Sequence, residues 1–147
     1  MINLYQYLTE GIFDVDDNIK DFDKNVFAKK WIKEQSLSDN IYVRSTKWKI
    51  LADGSVQPID GKGGWCISGN IPKEITIVDA PNETSPNIMD ATIECLDSIQ
   101  CSQLHITNTE ILDYGKGFKG SSIKINNCDI KDFKWFPEKL QWLTLLH

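Results

Sequence analysis

From Leu104 to Leu145 the chain repeats itself. Leu104-x-Ile106-x-Asn108-Thr109-x-Ile111-x-Asp113-Tyr114 lies over Ile123-x-Ile125-x-Asn127-Cys128-x-Ile130-x-Asp132-Phe133 at one constant offset, and Leu143-x-Leu145 opens a third line at nearly the same interval. Aliphatic falls on aliphatic, Asn on Asn, Asp on Asp and aromatic on aromatic. Self-similarity at a fixed period of about 20 residues is the mark of a solenoid, in which each unit is one strand plus a return path.

The front of the chain has other periods. Leu4, Tyr5 and Leu8 share one face of a short helix over 4–10, with Asn3 as its cap and Gly11 as its break. A second helix is expected over Asp23 to Gln35, with Phe27, Ala28, Trp31 and Ile32 as the apolar stripe and Trp31 as the anchor onto the body. After Ile41 the pattern alternates. Ile41-x-Val43, Trp48-x-Ile50, Val56-x-x-Ile59 and Trp65-x-Ile67 read as four short strands, with Asp53-Gly54 as a hairpin turn. These strands form a small β-meander that caps the solenoid, since terminal units of such arrays are atypical. Ser85-Pro86 reads as a helix start, and Ile88, Thr92, Cys95, Leu96 and Ile99 as its apolar face. The first unit would then run all the way from Ile75 to Leu104 and contain a helix, whereas the later, shorter ones close by turns.

The expected fold is therefore α/β: N-terminal helices, a β-meander cap, and a short solenoid with a parallel sheet of about three or four strands. Residues 1–40 are expected to be a helical segment with an acidic linker, 41–70 the cap and 71–147 the repeats, with 41–147 one structural unit.

Composition narrows the function classes. A net charge of −5 with only short basic runs argues against a nucleic-acid partner. No window of roughly 18 apolar residues is present, so no membrane-spanning helix is expected, and Met1 to Glu10 lacks the basic start and apolar core of a secretory signal. Cys66, Cys95, Cys101 and Cys128 form no C-x-x-C pair and have two His as possible co-ligands, so they read as reduced, buried apolar residues and not as a zinc site. Asp14-x-Asp16-x-Asn18 begins like an EF-hand loop, but Ile19 stands where the turn needs Gly and Asn25 where the bidentate Glu belongs. Restarting the loop at Asp21 meets Val26 and Ile32 in the same places. No cofactor and no metal are expected.

Residues 71–147 resemble leucine-rich repeats. The phrase L-x-L-x-x-N/C-x-L is matched by Ile123-x-Ile125-x-x-Cys128-x-Ile130 and, with Thr in the ladder place, by Leu104 to Ile111; Pro137 to Leu145 matches the P-x-x-L-x-x-L-x-L of short bacterial units. The resemblance implies that Leu and Ile stack inward and that Thr109 and Cys128 serve backbone groups at the turn, coil after coil. Ala80 stands in the ladder place of the first coil and can donate nothing. Asn108 and Asn127 fall one residue before the ladder place, where they can bond the turn locally. Trp48 to Ser68 looks like the strand-rich leader of repeat proteins in gut-bacterial and phage genomes. Tyr5 to Gly11 is similar to the cleavable head-targeting peptides of internal proteins of tailed phages.

The reading that follows is a non-enzymatic protein-interaction module. Its solvent-facing strand positions are Thr76, His105, Lys124 and Thr144, and its partner is another protein. The alternative is a phage structural or head-packaged protein with an N-terminal targeting helix. Either places the chain in the cytoplasm or a virion. An enzyme is not expected: His105 and His147 lie in no nucleophile motif, and Gly61-Lys62-Gly63-Gly64 lacks the Lys-Ser/Thr of a phosphate-binding loop.

Overall fold

The computed structural model describes residues 22–59, 65–81 and 86–146. The expected helix over 4–10, the EF-hand-like start at Asp14, the glycines at 61–64, the Ser85 cap and His147 lie outside them.

Helix α1, Lys24–Ser36, begins where the sequence places it. The Asp23 carboxylate accepts from the backbone N–H of Asn25 (2.9 Å) and of Val26 (3.3 Å), satisfying two donors that a helix start leaves open. Ile41–Arg44 is not the expected strand. It is a single turn of helix, α2, because Asn40 Oδ1 accepts from Tyr42 N at 2.9 Å and caps it. A three-residue alternation is too weak a signal to outweigh a good cap.

Among the described residues ten short strands follow: β1 Trp48–Ile50, β2 Val56–Pro58, β3 Trp65–Ile71, β4 Ile77–Val78, β5 Pro86–Ile93, β6 Ile99–Gln100, β7 Gln103–Thr107, β8 Glu110–Ile111, β9 Ser122–Asn126 and β10 Trp142–Leu146. They build a short β-solenoid of about four turns with three walls. The first wall runs β3, β5, β7, β9, β10, all parallel. The second wall is the far half of β3 and of β5, then β8. The third is β2, β4, β6, also parallel, with β1 added antiparallel at its edge.

Register gives the true period. Ile67, Ile88, Ile106, Ile125 and Leu145 stand side by side across the first wall, at nearly even intervals along the chain. The expected long unit from Ile75 to Leu104 is therefore an error, and so is the helix after Ser85-Pro86. That stretch is β5 followed by one 3₁₀ turn at Leu96–Ser98. Within β5, Ile88, Ala91 and Ile93 face the core because Asp90, at φ 51°, turns the strand from the first wall into the second. The corner breaks the alternation that marks a strand, and Ile88, Thr92, Cys95, Leu96 and Ile99 are left at a spacing that mimics a helix face.

The meander is also corrected. The β1–β2 hairpin forms at Asp53-Gly54, with Gly54 at φ 88° and Asp53 Oδ1 accepting from the N–H and hydroxyl of Ser55. β2, however, pairs in parallel with β4, and Trp65–Ile71 pairs in parallel with β5 as the first rung of the solenoid. A solenoid forces each chain segment to return in the same direction one level on, so a third antiparallel strand has no place.

The core is a column of stacked aliphatics. Ile67, Ile88, Leu104, Ile106, Ile123 and Ile125 come from the first wall, Ile71, Ile93 and Ile111 from the second, and Val56, Ile77 and Ile99 from the third. Ala28 and Trp31 of α1 belong to the same cluster. The helix lies along the free edge of β3. Trp31 Nε1 donates to Asn70 O (3.1 Å), Gln35 Nε2 donates to Ser68 O (2.9 Å), and Gln35 Oε1 accepts from Ser68 N (3.4 Å). Gln35 thus does what a neighbouring strand would do, and α1 closes an edge that would otherwise invite another chain.

Candidate interaction face

The outward residues of the first wall stand in register. His105 is opposite Lys124, and Lys124 is opposite Thr144, so three of the four positions read from the sequence form one row across three strands. Asn87 precedes Ile88 as His105 precedes Ile106 and carries the row into β5. Thr76 is not on this face. It lies just before β4, where its carbonyl accepts from Val56 N at 2.8 Å in the third wall, and its misplacement follows from the overlong first unit. Parallel rows flank the central one: Gln103, Ser122 and Trp142 on one side, Thr107, Asn126 and Leu146 on the other. The face is polar over β7 and β9 and becomes apolar at β10.

His105 is half-buried between its neighbours. Burial first, and then the Lys124 ammonium across the ladder, hold its imidazole below the usual value of 6.5. The ring is therefore neutral at pH 7, able to donate from one nitrogen and accept at the other. Lys124 and Thr144 are exposed.

The corner after the wall is polar and ordered. Asp90, Asn108 and Asn127 hold φ of 51°, 47° and 53°, and Gly69 holds 75° in the first coil. Each stands two residues past the aligned isoleucine. Asn and Asp are the non-glycine residues that tolerate this left-handed region best. Their side chains bond one another up the stack: Asn108 Nδ2 donates to Asp90 Oδ1 (3.2 Å), and Asn127 Nδ2 donates to Asn108 Oδ1. The two Asn are thus a ladder of their own as well as turn residues.

The next residues form a second ladder. Thr109, buried, donates its hydroxyl to Thr107 O (2.9 Å) and lies 3.4 Å from Ile88 O, one coil back. Cys128 Sγ lies 3.3 Å from Asn126 O and accepts from Thr109 N at 3.4 Å. In the preceding coil this place belongs to Ala91, not to Ala80, which is buried beyond β4.

Away from the face, a groove of about 850 Å³ follows the third wall past β6, where Lys116, Lys119 and Lys139 stand near Asp79 and Asp97. Both carboxylates accept backbone N–H groups of an adjacent coil, Asp79 from Ser102 (3.0 Å) and Asp97 from Lys116 (2.9 Å). No local pattern in the chain marks this groove, since its residues are brought together only by coil stacking.

No family model matches the chain, and neither a curated protein nor a solved structure does. Among the described residues, no helix is long and apolar enough to cross a membrane, and no group of three or more His, Cys, Asp or Glu is placed to hold a metal ion.

Proposed function

We propose that this chain is a non-enzymatic protein-interaction module, a short leucine-rich-repeat-like array of the kind found in bacterial and phage genomes, which docks a protein partner on its first wall. The observation that carries the reading is the row His105–Lys124–Thr144, three outward side chains of different chemistry held in register on parallel strands. Solenoid sheets offer such rows as extended surfaces whose geometry is fixed by backbone pairing. The ladder phrase supports the leucine-rich-repeat likeness, because Thr109 and Cys128 turn back onto carbonyls of the coil corner. The net charge of −5 favours a protein over a nucleic acid.

Affinity capture from the native host with three baits tests this: the native chain, Lys124→Glu on the face, and Lys73→Glu, an exposed lysine on another side of the coil. Proteins retained by the native and Lys73→Glu baits and lost with Lys124→Glu support the assignment. Capture that is equal with all three baits, or absent with all three, overturns it.

A further inference from the structure

We propose that two copies of this chain pair antiparallel along β10, centred on Thr144, so that the two solenoids stack end to end about a two-fold axis. The proposal goes beyond the docking face and does not depend on it.

β10 is the last strand of the first wall and, among the described residues, pairs only with β9. Leu143 and Leu145 occupy the inward places that Ile123 and Ile125 hold one coil earlier. Ile123 and Ile125 are 1% and 3% exposed, but Leu143 and Leu145 are 45% and 47% exposed. Trp142 is 72% exposed beside them. No charge, proline or bulge guards the strand, which reads Trp142-Leu143-Thr144-Leu145-Leu146. The other end of the same wall is guarded by α1.

The backbone sets the register in which a second copy fits. Trp142 N donates to Ser121 O, and Leu146 O accepts from Asn127 N, so these residues turn their backbone groups toward β9. Residues alternate along a strand, so Leu143 and Leu145 turn their N–H and C=O groups to the free edge. An antiparallel copy centred on Thr144 sets Leu143 opposite the partner's Leu145. Each such pair exchanges two N–H···O bonds, and the symmetry makes two pairs. Thr144 meets its own copy on the axis as a close, non-hydrogen-bonded pair. The axis stands perpendicular to the sheet, so inward side chains remain inward and the four leucines complete one shared core. A register one residue off opposes inward to outward residues. The uncharged strand also adds no repulsion to the pairing of two chains of charge −5.

Sedimentation of the full chain across a concentration series should give twice the mass of one chain. Thr144→Cys should then convert to a disulfide-linked dimer under mild oxidation, since a close cross-strand pair lies within disulfide reach. The native chain, with its four cysteines, and Lys124→Cys, one strand inward, should remain unlinked. Leu145→Lys should return the chain to one mass; should that variant fail to fold, the disulfide readout stands without it. A chain of single mass at every concentration, a larger open assembly, or linkage through Lys124→Cys as fast as through Thr144→Cys would overturn the proposal.

Discussion

Asn127 donates its side-chain amide to the side-chain oxygen of Asn108, one coil back, while both residues hold left-handed backbone. Two demands meet at one position: a φ that most residues resist, and a side chain that can both give and accept. Asn127→Ala should lose the ladder bond and strain the corner, at about 1–2 kcal/mol for the left-handed backbone alone. Asn127→Gly relieves the strain and loses only the side-chain bond. Thermal melts should rank native above Asn127→Gly above Asn127→Ala, and equal melts for the two variants would contradict the corner geometry.

Two glycines separate conformational from steric need. A Cβ at Gly120 would lie 2.5 Å from Ser102 O and 2.6 Å from Cys101 O, both backbone atoms of the coil below. At Gly69 a Cβ meets nothing within 4 Å, but φ is 75°. Gly69→Ala should cost about 1 kcal/mol, whereas Gly120→Ala should cost several times more, because the coils must move apart to admit the methyl group. Chemical denaturation of the two variants reads the difference.

Gln35 is the side chain that stands in for a strand. Gln35→Leu keeps much of its bulk but leaves the N–H and C=O of Ser68 without their partner. Stability should fall by about 1–3 kcal/mol. Hydrogen exchange at Ser68 should rise more than at Ile88, one strand inward. A chain begun at Asp39 removes Trp31 and Gln35 together and should aggregate through the bared β3 edge. A soluble, cooperatively melting product would instead make α1 a separate segment.

His105 gives a pH signature. Its folded pKa lies below its unfolded one, so protons bind the unfolded chain more readily. Its contribution to stability is present above the unfolded value, about 6.5, and is lost as the pH falls from there through the lower folded value. His105→Gln should flatten the stability profile in that window. Lys124→Gln should raise the pKa of His105 only in part, since burial is the larger cause, as an NMR titration of the ring would show.

The thiols should differ in reactivity. All four are free. Burial, with Asp79 beside it, pushes the Cys101 thiol far above its usual range, and burial also raises Cys66. Alkylation of the folded chain near pH 8 should spare both of these, and unfolding should release all four, as intact mass would count.

Much of this architecture was legible from the alignment of Ile106 with Ile125 and Leu145, because stacked coils repeat their inward residues. Three of the misreadings share one cause. Asp90 looks like an ordinary acid in sequence, yet it bends β5 through a corner, so Ile88, Ala91 and Ile93 lose the alternation that marks a strand. The helix, the overlong first unit and the placing of Thr76 all followed from that one residue. The same ambiguity is absent at Asn108 and Asn127, where the repeat itself supplies the phase. The edge-closing part of Gln35 could not be read at all, since nothing local distinguishes a glutamine that meets a backbone from one that meets water.

The column Gly69, Asp90, Asn108, Asn127 acts as a phase mark for the whole stack. The coils differ slightly in length, yet each is reset at its corner, so the slack is taken up in loops between walls. Insertions at an exposed stretch beyond the corner, as between Lys131 and Asp132, need shift only a loop. A single residue inserted between Ile106 and Asn108 would instead turn the inward side chains on one side of it outward. The molecule is therefore tolerant of length changes around most of its circumference and intolerant along one line.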